Sequence, residues 1–558
     1  MSHLVRRRTP LAQKLFLNAP VTTSAVSFAY DPNYRRPISV TDDTGTSNYT
    51  YVPITPSPAL GAGRLGQVSL PAPDGTIAYG YDELGRRVST ALNGRESTVK
   101  FDAAGRIASS VNALGIFTYT YEGNSFRLAS QSSPNGQLSE YVYGDNDHDR
   151  ALLKITHSNG PNAVSQFIYA YDQPTGQVSS WSQQPGTETP TIFSFEYDTA
   201  NELTSAAGTR GGNATSAVAY TYDAAGNRLS QQTGADVAHA TYNALNQLMS
   251  ADQANGIQAT YQWDSDNRLT QVSTGNKETH LTYDGYGRIA VIREVVNQAE
   301  TSYRRLVWSG GQIREERNAD GSLAKQYFTQ GMAIENGVTT ESYYYTRDQL
   351  GSIREVTDSS GTLQARYSYD SFGQPTKLTG GIDADFGFAG MFWSSEIGLN
   401  MTRFRPYDPG TGRWLSRDPL ENAEVLQGPS LYAYAGNNTV NWTDPSGLQW
   451  WMYAAGIAFK IVQAIKGEGN PSEGNHPNPG PETPGVSGPS GGPPDGGPPD
   501  DDNDGALLLA ELRGERPRAP REPVPVAIRA PAQALIRVLT AKQRRRSWPS
   551  APRAEFLA

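Results

Sequence analysis

The 558-residue chain contains no cysteine. Disulfides, thiolate-bound metals and cysteine nucleophiles are therefore excluded. Histidine is scarce as well: the six are His3, His148, His157, His239, His280 and His476. No two of them have metal-ligand spacing, and no metal or cofactor is expected. Long apolar runs are missing, so no segment reads as a spanning helix. An excess of positive charge is missing too. Lys+Arg number 47 against Asp+Glu 56, a net charge of −9, which argues against a nucleic-acid binder. The basic start, MSHLVRRRTPLAQKLFLNAP, lacks an apolar run and a small-residue cleavage site, so no signal peptide is read. No P-loop or dinucleotide fingerprint occurs.

Turn and strand residues fill the space. Glycine (56) and tyrosine (30) are high, while hydrophobic residues make up only 37%. That balance favours many short strands over packed helices. A repeat dominates residues 75 to 290. Its clearest copies are Tyr81-Asp82-Glu83-Leu84-Gly85-Arg86, Phe101-Asp102-Ala103-Ala104-Gly105-Arg106, Tyr222-Asp223-Ala224-Ala225-Gly226-Asn227-Arg228 and Tyr283-Asp284-Gly285-Tyr286-Gly287-Arg288. The period is about 20 residues, enough for two strands and two tight turns. Asp suits the first turn position, where its carboxylate accepts the amides one and two residues on. Gly then supplies a positive φ and a bulge. An Arg starts the return strand, followed by an apolar residue: Val88, Ile107, Leu229 or Ile289. The Tyr-Asp pairs read as turn and strand residues, not as catalytic acids.

The stretch from Arg403 to Leu448 is not repetitive. It contains RFRPYDPGTGRWLSRDP, then LYAYAGNN, then DPSGL. These segments resemble the core of the Rhs/YD-repeat family, and the upstream repeats resemble its YD repeats. Tyr343 to Ser352, Arg366 to Gly373 and Phe388 to Leu399 resemble further elements of that core. Members of the family coil such hairpins into a large hollow β-shell. The resemblance implies an all-β fold: an elongated, coiled sheet of YD-repeat hairpins forming a shell-like array. Residues 1–74 read as degenerate repeats, 75–342 as the shell and 343–448 as the repeat-associated core.

After Leu448 the composition changes. Residues 449–466 are apolar and predict a short helix, with membrane contact by 450–465 only weakly suggested. Residues 467–504 hold ten Pro, ten Gly, eight acids and no Lys or Arg, which predicts a disordered linker. Residues 505–558 carry 11 Lys/Arg against four Glu and read as a basic variable tail with no catalytic constellation.

The residue types left for chemistry are carboxylates. Two aspartates held close cannot both ionise cheaply, so one becomes an acid and the other activates water. In the family, the corresponding aspartates are implicated in self-cleavage just after DPxGL. The resemblance assigns Asp418 and Asp444 as that pair, Arg417 as the neighbour that orients it, and Leu448–Gln449 as the bond cut. At most this is a single-turnover aspartyl autoprotease. Three features depart from the family pattern: Leu420-Glu421 follows Asp418-Pro419, Thr439 replaces a proline, and about four extra residues separate the aspartates. The extra residues are expected to loop out between Glu421 and Ser430.

The leading reading is a shell that contains and presents a variable C-terminal segment and releases it. Its partners would be that segment, a secretion machinery and an immunity protein, and its location outside the cell or on the surface by a specialised route. A rival reading is a passive surface repeat that uses aromatic faces for adhesion or carbohydrate contact. A third is a truncated remnant without an active toxin.

Overall fold

The computed structural model describes residues 23–448 apart from 35, 147–149, 243–245, 247, 252–258, 421–422 and 427, together with 13–14 and 451–452. The expected linker, the basic tail, most of the apolar segment and Gln449 lie outside the described residues. The described residues belong to one compact unit.

Why this chain forms strands is visible in Gly115–Tyr121 (GIFTYTY). Phe117 and Tyr119 are buried while Ile116 and Thr118 are exposed, a period of two. Strand follows strand in antiparallel order to build a 21-stranded sheet, then a 12-stranded one from Thr260–Trp263 to Pro375–Gly380. The fold is all-β, as expected. The second sheet crosses residue 343 without a break, so Thr340–Arg347 and Leu363–Tyr369 are ordinary members of it.

The turns explain the repeat. Asp102 Oδ1 accepts the amides of Ala104 and Arg106, both at 2.9 Å, and Oδ2 accepts Arg106 Nε at 2.7 Å. Asp82 and Asp284 make the same contacts. The carboxylate thus reaches the amides two and four residues on, not one and two. Gly105, at φ +77, occupies a left-handed position where a Cβ would be strained. The register shifts just before each aromatic, as between Lys100 and Phe101.

Where that aromatic is a tyrosine, it also ties its strand to the neighbouring strand before it. Tyr121 Oη donates to Ile107 O at 2.8 Å, Tyr81 to Leu65 O at 2.8 Å and Tyr283 to Leu269 O at 2.7 Å. The arginine locked by the aspartate then lies over the next aromatic: Arg86 over Phe101 at 4.1 Å and Arg106 over Tyr121 at 4.6 Å. Tyrosine, aspartate and arginine form a ladder from one hairpin to the next.

The residue after the arginine faces inward. Ile107, Leu269 and Ile289 are buried there, paired with Phe101, Trp263 and Tyr283. The expected apolar residues Val88 and Leu229 are not in that slot. Arg87 pairs with Tyr81 and Arg228 with Tyr222, and Leu229 is exposed. Asn227 Nδ2, not Arg228, bonds Asp223 Oδ2, at 2.9 Å, so the repeat frame sits one residue earlier there.

The second sheet runs beside the first, and their contacts advance together. Arg305 Nε bonds Asp74 at 2.6 Å, Gln330 Nε2 bonds Tyr119 Oη at 2.6 Å, and Asn135 Nδ2 bonds Thr357 Oγ1 at 3.1 Å. The core segment continues the series: Arg228 Nη2 donates to Gly410 O at 2.5 Å and Arg413 Nη2 to Asn246 O at 2.6 Å. A large cluster joins Phe117, Ile155 and Leu203 of the first sheet to Phe372, Trp414 and Tyr434. Each such aromatic contributes roughly 1.5–3 kcal/mol by leaving water. The core segment is thereby fastened to the inward residues of the repeat.

Candidate functional site

The core segment is built from very short elements. Phe392–Ser394, Leu399–Met401, Pro406–Asp408 and Arg413–Trp414 make a four-stranded sheet. Between the two ends joined by the 3.0 Å bond from Asp418 N to Leu431 O lies the one-turn helix Ala423–Leu426. Tyr407, Trp414 and Tyr434 pack as an aromatic box, with centroids 4.2 Å apart for Tyr407–Tyr434 and 5.4 Å for Trp414–Tyr434. All three are fully buried.

On this floor the structure brings Asp418 and Asp444 together. Both are buried, at 4% and 0% exposure, and the residue between them is Arg405, at 2%. Arg405 Nη2 lies 2.8 Å from Asp418 Oδ2 and 3.3 Å from Asp444 Oδ2. The guanidinium itself lies over Trp414, 4.4 Å from the ring centroid. Arg417 is exposed, and the arginine the structure places between the two carboxylates is Arg405. Sequence reasoning missed Arg405 although it lies in the RFRP segment of the same motif. A fully buried arginine is rare unless paired, and composition does not reveal the pairing.

Each aspartate has two tasks. Asp418 Oδ1 accepts the Leu420 amide at 2.8 Å, and Asp444 Oδ1 accepts the amides of Gly447 at 2.8 Å and Leu448 at 3.1 Å. Both therefore cap their own turns, and Oδ2 of each is left to face Arg405. Arg405 Nε also donates to Gly447 O at 2.7 Å. The backbone on both sides of Gly447 is held against the charged group. Gly447 is at φ +78, and a Cβ there would collide with Thr402 and Arg405.

Burial pushes the Asp444 carboxyl above its ordinary range, opposed by Arg405 and by the Gly447 and Leu448 amides. Burial also lowers the Arg405 pKa, against the pull of the two carboxylates. A carboxyl whose pKa burial raises thus sits beside a second carboxylate and a cation.

Leu448, half-buried, ends the capped turn. Beyond it the chain returns: Trp451–Met452 pairs antiparallel with Trp442–Thr443, in the register Trp442↔Met452 and Thr443↔Trp451. Residues 451–452 are therefore strand rather than the start of the expected helix. An apolar run of this kind does not distinguish the two by periodicity. This hairpin brackets the Leu448–Gln449 bond, of which Gln449 lies outside the described residues. A cavity of about 340 Å³ reaches Pro445 and Ser446 of the same turn, with Phe404 and Tyr345 also in its wall.

Among the described residues no three His, Cys, Asp or Glu stand together as a metal site. Nor is any described helix long and apolar enough to cross a membrane.

A family model described as Teneurin YD-shell matches residues 174–440. The tRNA nuclease WapA of Bacillus subtilis (strain 168) is 31% identical over 269 residues, covering 43% of this chain and 11% of that protein. The probable deoxyribonuclease RhsA of Dickeya dadantii (strain 3937) is 33% identical over 200 residues, 34% of this chain and 14% of its own length. The chain thus spans a small part of these relatives. Among solved structures, the TcdB2-TccC3-TEV crystal structure superposes with a TM-score of 0.61 at 18% identity, over 78% of this chain and 26% of that one. That likeness is one of fold.

Proposed function

Because the chain belongs to the Rhs/YD-repeat shell proteins, of polymorphic-toxin type, we propose that it presents the segment after Leu448 and frees it by cutting Leu448–Gln449 itself. The observation that carries this reading is the pair Asp418 and Asp444 on one buried guanidinium nitrogen, directly under the turn that ends at Leu448.

The chemistry is a hydrolysis without metal or thiol. In this reading Asp444, whose pKa burial raises, takes the part of the acid, and Asp418 that of the carboxylate. Asp418 takes a proton from water as the water oxygen bonds the Leu448 carbonyl carbon. Asp444 gives its proton to the carbonyl oxygen. The tetrahedral intermediate then collapses: Asp418 passes its proton to the Gln449 nitrogen, the C–N bond breaks, and Asp444 recovers its proton from the hydroxyl. A Leu448 carboxylic acid and a Gln449 amine result, with both aspartates restored. Arg405 holds the two carboxylates in place and stabilises the negative charge that moves between them.

The relatives are named as nucleases, and by analogy the segment after Leu448 is read as a toxin, carried out of its cell by a specialised route with delivery and immunity partners. The passive reading has one observation in its favour. Asp418 and Asp444 cap their turns as the repeat aspartates do, which is sufficient for a purely structural role. Sequencing the N-termini present in purified full-length protein separates the two. A fragment beginning at Gln449 supports cleavage, whereas a chain with its original N-terminus alone favours the passive shell.

A further inference from the structure

The turn at Asn437 and Asn438 docks the core segment onto the repeats through side-chain amides. Asn437, buried and at φ +58, donates from Nδ2 to Glu202 Oε1 at 2.8 Å and to Gly226 O at 2.7 Å. Asn438 Nδ2 donates to Gln177 Oε1 at 3.0 Å. Asn441 accepts the Val178 amide at 2.8 Å and donates to Tyr197 Oη at 2.9 Å. Of these partners Glu202 is the one carboxyl group.

Among the described residues no Lys or Arg forms an ion pair with Glu202. Its ionisable neighbours are Asp198 on its own turn and Asp223 and Tyr222 on the next repeat. Arg413 of the core segment acts on Asp223. The docking turn itself brings amides and no charge. Burial pushes the Glu202 carboxyl up to about 7; the Asn437 amide opposes this, and Asp198 and Asp223 add to it. One amide bond therefore does not offset the cost of a further negative charge under the turn. A raised folded-state pKa contributes stability that is full below the unfolded value and is lost as pH rises through the folded one.

We propose that Glu202 makes the docking of the Asn437–Asn438 turn proton-dependent, firm while the carboxyl is protonated and weaker once it ionises. The protonated group keeps Oε1 as acceptor for Asn437, and its proton bonds Asp198 in place of the repulsion. The turn leads directly into Trp442–Thr443 and Asp444, so the latch sets how firmly that segment is held. It does not rest on cleavage.

The test is hydrogen exchange of the full-length protein, read by mass spectrometry on the peptide 435–442 and corrected for the intrinsic pH dependence of exchange. Its amides include Asn441 N and Trp442 N, both bonded to Asn438 O within the turn. From pH 5 to pH 8 their protection is expected to fall about tenfold in the wild type. In Glu202→Gln, which keeps the acceptor and cannot ionise, it should stay level. A melting curve checks that this variant folds. If it does not, Asp198→Asn is the second arm, and removing that neighbouring charge should move the midpoint of the fall to lower pH. Level protection in the wild type, an equal fall in Glu202→Gln, or an unmoved midpoint in Asp198→Asn would overturn the latch. The peptide lies before Leu448, so whole and cut chains report alike.

Discussion

Asp418 stands opposite Asp444 across a single nitrogen, Arg405 Nη2, at 2.8 and 3.3 Å. Two carboxylates from distant parts of the sequence are thereby held at one buried point, and the backbone of Gly447 and Leu448 is folded over one of them.

Arg405→Met should leave both carboxylates buried and unanswered. Breaking a buried ion pair from one side costs about 3–5 kcal/mol. A clear fall in the urea midpoint is expected, together with loss of cleavage. Arg405→Lys keeps the charge but not the planar fork, and should give an intermediate midpoint.

The ladder predicts a smaller effect. Tyr121→Phe removes only the hydroxyl that bonds Ile107 O. The expected loss is about 1 kcal/mol, read by urea unfolding. Asp102→Ala should cost more, because two amides and Arg106 lose their acceptor together. Equal stability of Asp102→Ala and the parent would contradict the ladder.

Much of this was legible in the sequence and some was not. The Tyr-Asp turns, the positive φ at Gly105 and the all-β fold follow from local residue preferences. The tyrosine hydroxyl bond to Ile107 O does not, because it crosses between strands. The inward slots at Arg87 and Arg228 were misplaced by one residue because the slot was taken as the apolar residue after the last arginine. Counted from Asp82 and Asp223, as the hydrogen bonds run, both fall into line. Asp418 and Asp444 were found through the motif. Arg405 was passed over for Arg417, because only packing against Trp414 shows which of the two turns inward.

His157 gives the contact between the sheets a pH dependence. Its Nε2 lies 3.0 Å from Arg347 O and its Nδ1 2.7 Å from Ser139 Oγ. The neutral ring donates from Nε2 and accepts at Nδ1. Burial lowers its pKa below 6.5. A depressed histidine contributes stability that is present above the unfolded pKa and lost as pH falls through that value towards the folded one. The melting temperature should therefore drop between pH 7 and pH 5, and by less in His157→Asn, which titrates no ring. An identical drop in both would remove His157 from the explanation.

Asp444 has the opposite sign. Its carboxyl pKa is raised, so the penalty of burying its charge grows as pH rises from the unfolded pKa through the folded one. The proposed cleavage uses that proton. Protein unfolded in urea and refolded at a series of pH values should cut faster on the acid side and slow as pH rises through the raised pKa. A rate that climbs steadily with pH would assign the chemistry to a different group.

The most direct measurement is the intact mass of the purified wild-type chain beside Asp418→Asn and Asp444→Asn. The account predicts two wild-type species, one ending at Leu448 and one beginning at Gln449, and a single uncut mass for each variant. A wild-type chain that stays whole, or variants that are cut at the same bond, would contradict it and leave both aspartates as caps of their turns.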